Sequence, residues 1–202
     1  MILSIPQFEI VRYAQLGTRQ ECRALLPGDA GVYAWFRDLT LSEEIIASEA
    51  QFVDALMALF DESSLNTRPL SARRKGRVSP FYDVGIVVTP GTLTSTKKGA
   101  LAHYAKTESL RREIGRALEA LTFWQPPLYV GKTERLAERV WEHVNRTSDL
   151  GDRLEEVGLS LEQCLVAYVP ISDTADGATP LVQLVEDIMT RLSLPGFVRR
   201  VG

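Results

Sequence analysis

Apolar and polar positions along the chain follow two periods, and the change of period marks out the elements. Residues 31–36 (GVYAWF) are small at the start and then strongly β-prone, which predicts a first core strand. Leu128-Tyr129-Val130 is a short apolar run that exits through Gly131, a residue suited to a tight turn, and predicts a second. Leu161 to Val169 (LEQCLVAYV) predicts a third. Residues 2–13 alternate loosely and suit an edge strand, because Pro6 cannot donate to an interior ladder. Helical spacing appears over 18–26, 41–60, 97–121, 134–144, 148–157 and 179–193. In the helix over 134–144, Leu136, Val140 and Val144 recur every four residues, and Arg139 and His143 share the neighbouring stripe. Thr133 is placed to cap that helix, and Thr179-Pro180 to start the last one.

Residues 63–80 (SSLNTRPLSARRKGRVSP) are polar, basic and broken by Pro and Gly, so they predict a mobile loop or arm. Phe81 to Val88 reads as a further strand. The expected class is α+β. A small core of residues 1–37 and 126–202 would hold a three-stranded mixed or antiparallel sheet flanked by helices, and residues 38–125 would form a helix-rich insertion.

Composition narrows the setting. Two cysteines, Cys22 and Cys164, are too few for a disulfide scaffold or a structural zinc site and fit a reducing compartment. The start carries no basic-then-apolar leader, and no apolar run approaches the ~20 residues that span a bilayer. A cytoplasmic protein without a membrane partner is the expectation. The net charge of −3 argues against a nucleic-acid partner, but its distribution argues for one. Asp38 to Glu62 holds seven acids and no bases, whereas Arg68 to Arg116 holds eleven bases against three acids. A field acts over about a Debye length (~10 Å), so local charge outweighs the mean. Arg73, Arg74, Lys75 and Arg77, with Lys97, Lys98, Arg111 and Arg112 on the basic side of the 97–121 helix, form the expected nucleic-acid surface. They would bind by counterion release rather than by reading sequence. A solubilising arm is the plain alternative.

Arg139 and His143, projecting together from a strand-turn-helix, suit a phosphate. With Gly31-Val32-Tyr33 far upstream, Tyr129-Val130-Gly131-Lys132-Thr133, Leu136, Arg139 and His143 in the middle, and Glu186 nine positions before Pro195, the chain resembles the GIY-YIG nuclease family. Leu26-Pro27 ahead of the first signature also fits. The resemblance covers residues 26–36 and 126–198. Two departures stand out: 95 residues separate Tyr33 from Tyr129, and Val198 stands where many members carry Asn.

The resemblance implies a metal-dependent endonuclease acting on DNA, in duplex form, of restriction, defence, mobile-element or repair type. Tyr33 would be the general base or orient the attacking water, and Tyr129 would position water or phosphate. Arg139 would grip the scissile phosphate, and His143 would support it or share proton traffic. Glu186 would bind a single Mg²⁺ or Mn²⁺, and Lys132 would touch backbone phosphate. A homodimer or an accessory protein would complete the assembly. Taken singly, the same residues have ordinary readings: Arg139 paired with Glu142 or Glu138, His143 at a helix end, Glu186 solvated. A catalytically weakened nucleic-acid-binding or complex-assembly module is the second reading, and an α/β protein with a chance motif the third.

Overall fold

The computed structural model describes residues 8–60, 74–79, 82–86, 93–156, 158–171 and 181–193. In chain order the elements are β1 (Glu9–Arg12), α1 (Arg19–Leu25), β2 (Gly31–Arg37), α2 (Glu43–Ala47), α3 (Glu49–Phe60), β3 (Arg74–Ser79) and β4 (Tyr82–Ile86). They continue with α4 (Ser95–Ala105), α5 (Glu108–Leu121), β5 (Tyr129–Thr133), α6 (Leu136–Val144), α7 (Leu150–Glu155), β6 (Cys164–Pro170) and α8 (Leu181–Ser193). The class is α+β. Two compact units emerge: Met1–Thr40 with Leu118–Leu154 and Ser160–Gly202, and Leu41–Ala117 with Glu155–Leu159. None of the described helices is long and apolar enough to cross a membrane.

The first unit holds a four-stranded sheet in the order β1-β6-β2-β5, with every neighbouring pair antiparallel. The three strands expected from the apolar runs are its β6, β2 and β5, and the N-terminal strand adds the edge beside β6. Alternation along β2 divides the core. Val32 and Ala34 join Val130 under Val182 of α8, with Phe36, Val185 and Met189 packed around them. Tyr33 and Trp35 point to the other face, where α6 lies, and both are closed to solvent. An apolar cavity of about 260 Å³ on the α8 face, lined by Phe8, Phe36, Phe123, Ala167 and Met189 among others, is separated by the sheet from the Tyr33 side.

Helix α6 is seated by three devices. Its first N–H groups are satisfied by backbone, since Leu136 N donates to Asp29 O at 3.1 Å and Ala137 N to Pro27 O at 3.2 Å. Gly31 lets it come close: a Cβ there would stand 2.5 Å from Leu136 Cδ1 and 2.6 Å from the Val169 carbonyl oxygen. On its outer side Glu138 takes bonds from Arg19 and Arg23 of α1, which hold its carboxyl below the usual range. The expected Thr133 cap is not formed. Thr133 remains in β5, the N-cap position is Arg135 with no side-chain cap, and Thr133 Oγ1 accepts from Arg135 N at 3.1 Å.

The second unit departs further from expectation. Part of the expected loop is β3, paired with β4 in a hairpin that carries an irregularity between Arg77 and Ser79. Glycine and polar residues there belong to a bulged ladder rather than to a loop. The stretch 41–60 is two helices, because Ser42 caps α2 and Ser48 caps α3. The stretch 97–121 is also two, parted at Lys106-Thr107, where the Thr107 carbonyl accepts from Leu110 and Arg111 and starts a new helix. In the first unit, the apolar run at 161 begins as a 3₁₀ turn, Leu161–Gln163, and becomes strand at Cys164.

Candidate active site

Tyr33 on β2, Tyr129 on β5 and His143 on α6 form a ring cluster. Their centroids lie 6.1 Å apart for Tyr33–Tyr129, 5.5 Å for Tyr33–His143 and 5.6 Å for Tyr129–His143. Trp35 meets His143 edge-on at 6.0 Å. Strand pairing brings the tyrosines together: Tyr33 sits opposite Gly131 on the neighbouring strand, and Trp35 opposite Tyr129. Gly131 makes the room. A Cβ on it would lie 2.6 Å from the Tyr33 hydroxyl oxygen and 2.8 Å from Tyr129 Cε1. The second signature glycine thus has a steric reason to be glycine, since the Tyr33 phenol occupies the space a side chain would take.

Polar contacts tie the cluster into a chain. The Tyr33 hydroxyl is 2.8 Å from His143 Nε2, and His143 Nδ1 is 2.6 Å from Ser148 Oγ. Arg139 Nε donates to the Tyr33 hydroxyl oxygen at 3.3 Å, while its Nη1 donates to Glu142. Arginine has no acceptor, so this end of the chain runs in a single direction. The neutral phenol must send its own proton elsewhere, to Nε2 of His143 or to the Tyr129 hydroxyl. A proton sent to Nε2 requires the His143 tautomer with Nδ1 protonated, which would donate to Ser148.

Burial sets the charge states. Tyr33 and His143 are each 1% exposed. The pKa of Tyr33 is raised, chiefly by burial and then by the Tyr129 hydroxyl; the bond from Arg139 works the other way and is outweighed. His143 is pushed down to about 3, first by burial and then by the Arg139 charge, with Asp149 opposing. Burial works against the charge on Arg139, but its bonds to Glu142 and Tyr33 prevail and raise its pKa. Both members of the Tyr33–His143 pair are therefore neutral near pH 7. Arg139, with a side chain 35% exposed, and the half-buried Tyr129 are the members that reach solvent.

His143 turns inward beneath Tyr33 rather than outward beside Arg139, and the Tyr33 hydroxyl is enclosed with it.

Glu186 stands elsewhere. Since Gly131 faces the Tyr33 cluster, the next residue, Lys132, points to the α8 face, and its Nζ lies 3.6 Å from Glu186 Oε2. Pair and cluster thus occupy opposite faces of β5, which is the edge strand of the sheet. Among the described residues no three His, Cys, Asp or Glu side chains gather as a metal site. Glu186 supplies one hard oxygen donor, enough for an ion that keeps most of its waters, with Lys132 already placing a positive charge on that carboxylate.

The residues expected on a nucleic-acid surface differ in exposure. Lys97 and Lys98 are exposed on the first turn of α4. Arg112 is partly exposed and engaged, donating to Glu43 at 2.6 Å and to Glu108 at 2.9 Å. Arg111 does not belong to that surface. It is 5% exposed, and its guanidinium donates to the carbonyls of Ile46, Ala105 and Ala47, closing the ends of α2 and α4. Arg74, Lys75 and Arg77 lie on β3, and Arg73, like Pro195 and Val198, lies outside the described residues.

Ser148 is the residue that sequence reasoning missed. Compared with known proteins, the chain matches no family model, no curated protein and no solved structure.

Proposed function

We propose that the chain is a GIY-YIG-type, metal-dependent DNA endonuclease. The observation that supports this best is the convergence of Tyr33, Tyr129, Arg139 and His143 from three separate elements on one face of a sheet. Scattered surface residues have no reason to share one hydrogen-bonded chain.

Phosphodiester hydrolysis needs a placed water and stabilised charge on the phosphate. Arg139 supplies the second. Its Nε is held by Tyr33 and its Nη1 by Glu142, which leaves a fixed fork whose remaining N–H groups suit a phosphate oxygen. Tyr129 supplies the first. Tyr33 directs its proton to His143, so its oxygen lone pairs face Arg139 and Tyr129. The Tyr129 hydroxyl then donates inward to Tyr33, and its oxygen accepts a hydrogen bond from an attacking water on the solvent side. In this reading Tyr33 and His143 hold Tyr129 and Arg139 in place and do not themselves exchange protons with water. Glu186 is the residue that would hold a Mg²⁺ or Mn²⁺, in place of its bond to Lys132, and the ion would supply Lewis-acid chemistry.

The second reading, a nucleic-acid-binding or assembly module with weakened catalysis, is favoured by the ion pair that already occupies Glu186. Plasmid cleavage in Mg²⁺ or Mn²⁺ separates the two: binding that falls steeply with salt and is never followed by cleavage selects the module.

A further inference from the structure

Helix α6 does not simply end after His143. Asn145 N donates to Trp141 O at 2.8 Å, Arg146 N to His143 O at 3.1 Å and Thr147 N to Glu142 O at 3.0 Å. This is the Schellman closure, with Arg146 in the left-handed position usually given to glycine, at φ 54°. A non-glycine residue there is strained, and the turn is held from outside by the Arg146–Glu162 ion pair at 3.8 Å and by Thr147 Oγ1 donating to Glu142 O at 3.0 Å. The turn folds the chain back so that Ser148, five residues beyond His143, reaches the far nitrogen of its ring at 2.6 Å.

We infer that Ser148 is a positioning residue of the site: by accepting the Nδ1 proton of His143 it keeps Nε2 free for the Tyr33 hydroxyl and so sets the direction of the whole hydrogen-bond chain from Tyr129 inward. This deepens the nuclease reading and rests on it for its effect on cleavage. The two ends of the chain cooperate. Arg139 can only donate to Tyr33, and Ser148 offers an oxygen to Nδ1. Remove Ser148, and the Nδ1 proton becomes a buried donor without an acceptor, a costly state. The ring then favours the other tautomer, whose Nε2–H would point at a Tyr33 oxygen that already accepts from Arg139. The phenol proton would turn outward toward Tyr129, and Tyr129 would lose the acceptor it needs. The groups facing the imidazole are Arg139 on its own helix, Tyr33 and Trp35 from β2, Tyr129 from β5, and Ser148 and Asp149 from the following turn.

The test is made on the full chain with two independent readouts. Nitrogen-15 NMR of the His143 ring should show an unprotonated Nε2 in the wild type and a changed tautomer balance in Ser148→Ala, with Ser148→Thr like the wild type. In cleavage of a plasmid with Mg²⁺, Ser148→Ala should lower kcat roughly tenfold or more with KM unchanged, and Ser148→Thr should restore it. A wild-type ring protonated on Nε2, or a tautomer unaffected by Ser148→Ala, overturns the inference whether or not the protein cuts DNA. If Ser148→Ala does not fold, the wild-type ring spectrum alone decides. Correct tautomers without any cleavage leave the positioning role standing and count against the nuclease reading instead.

Discussion

The hydroxyl of Tyr33 and Nε2 of His143 stand 2.8 Å apart, although the two residues are 110 positions apart in sequence. The pair is closed to water, so it is neutral on both sides, and its bond serves orientation. Phe at position 33 would keep the ring packing and leave Nε2 without its donor. Tyr33→Phe should therefore destabilise the chain by about 1–3 kcal/mol, measured by urea unfolding at pH 7. A loss under a few tenths would mean that the bond is not made.

The same burial makes stability depend on pH. His143 is held near pKa 3, against 6.5 in the unfolded chain. The folded value is the lower one, so the unfolded state takes up the proton first. Stability from the neutral imidazole is full above about pH 6.5 and declines as pH falls toward 3, with a slope approaching ~1.4 kcal/mol per pH unit. Between pH 6.5 and 5 carboxylates contribute little, and His143→Phe should flatten that part of the curve. An unchanged slope would show that His143 is protonated in the fold.

Gly131→Ala should damage site and stability together. Its Cβ would enter the space of the Tyr33 hydroxyl at 2.6 Å, with Tyr129 at 2.8 Å on the other side. Overpacking of this kind costs ~1–3 kcal/mol. Because the displaced atoms are the site itself, cleavage should fall further than the stability loss explains. Gly28→Ala, whose Cβ would meet nothing within 4 Å, is the control.

Arg111 offers a clean separation of charge from structure. Three backbone carbonyls take its donors, and Arg111→Met would orphan them, at a cost of about 3 kcal/mol in thermal or denaturant unfolding. DNA affinity of the folded fraction should not change. A drop in affinity with unchanged stability would return Arg111 to the binding surface.

How much of this was legible in the sequence follows from the range of the forces involved. β2, β5, α6 and α8 were readable because their signals are local: β-prone runs, a four-residue apolar repeat, an apolar stripe. The breaks at Ser48 and Thr107 depend on single side-chain and backbone bonds within otherwise unbroken helical periodicity, and a basic, Gly-punctuated strand such as β3 looks like a loop until its partner is known. The gathering of Tyr33, Tyr129, Arg139 and His143 was what the family resemblance implied. The inward turn of His143 and the enclosure of Tyr33 were not legible, because they come from packing between distant elements. Ser148 carried no signal at all, since a serine in the polar stretch after a helix becomes significant only once Arg146 is known to turn left-handed. Glu186 was placed on the right helix, and its ion pair with Lys132 on the α8 face could be seen only in three dimensions.

The most direct measurement is cleavage of supercoiled plasmid by the purified full chain in Mg²⁺ and in Mn²⁺, beside Tyr33→Phe, Arg139→Ala and Glu186→Ala under the same conditions. Nicked or linear product is expected from the wild type, none with chelator, and rates lower by at least about 100-fold in each variant. Intact plasmid in both metals across pH and salt, or equal cutting by wild type and variants, would contradict the nuclease reading.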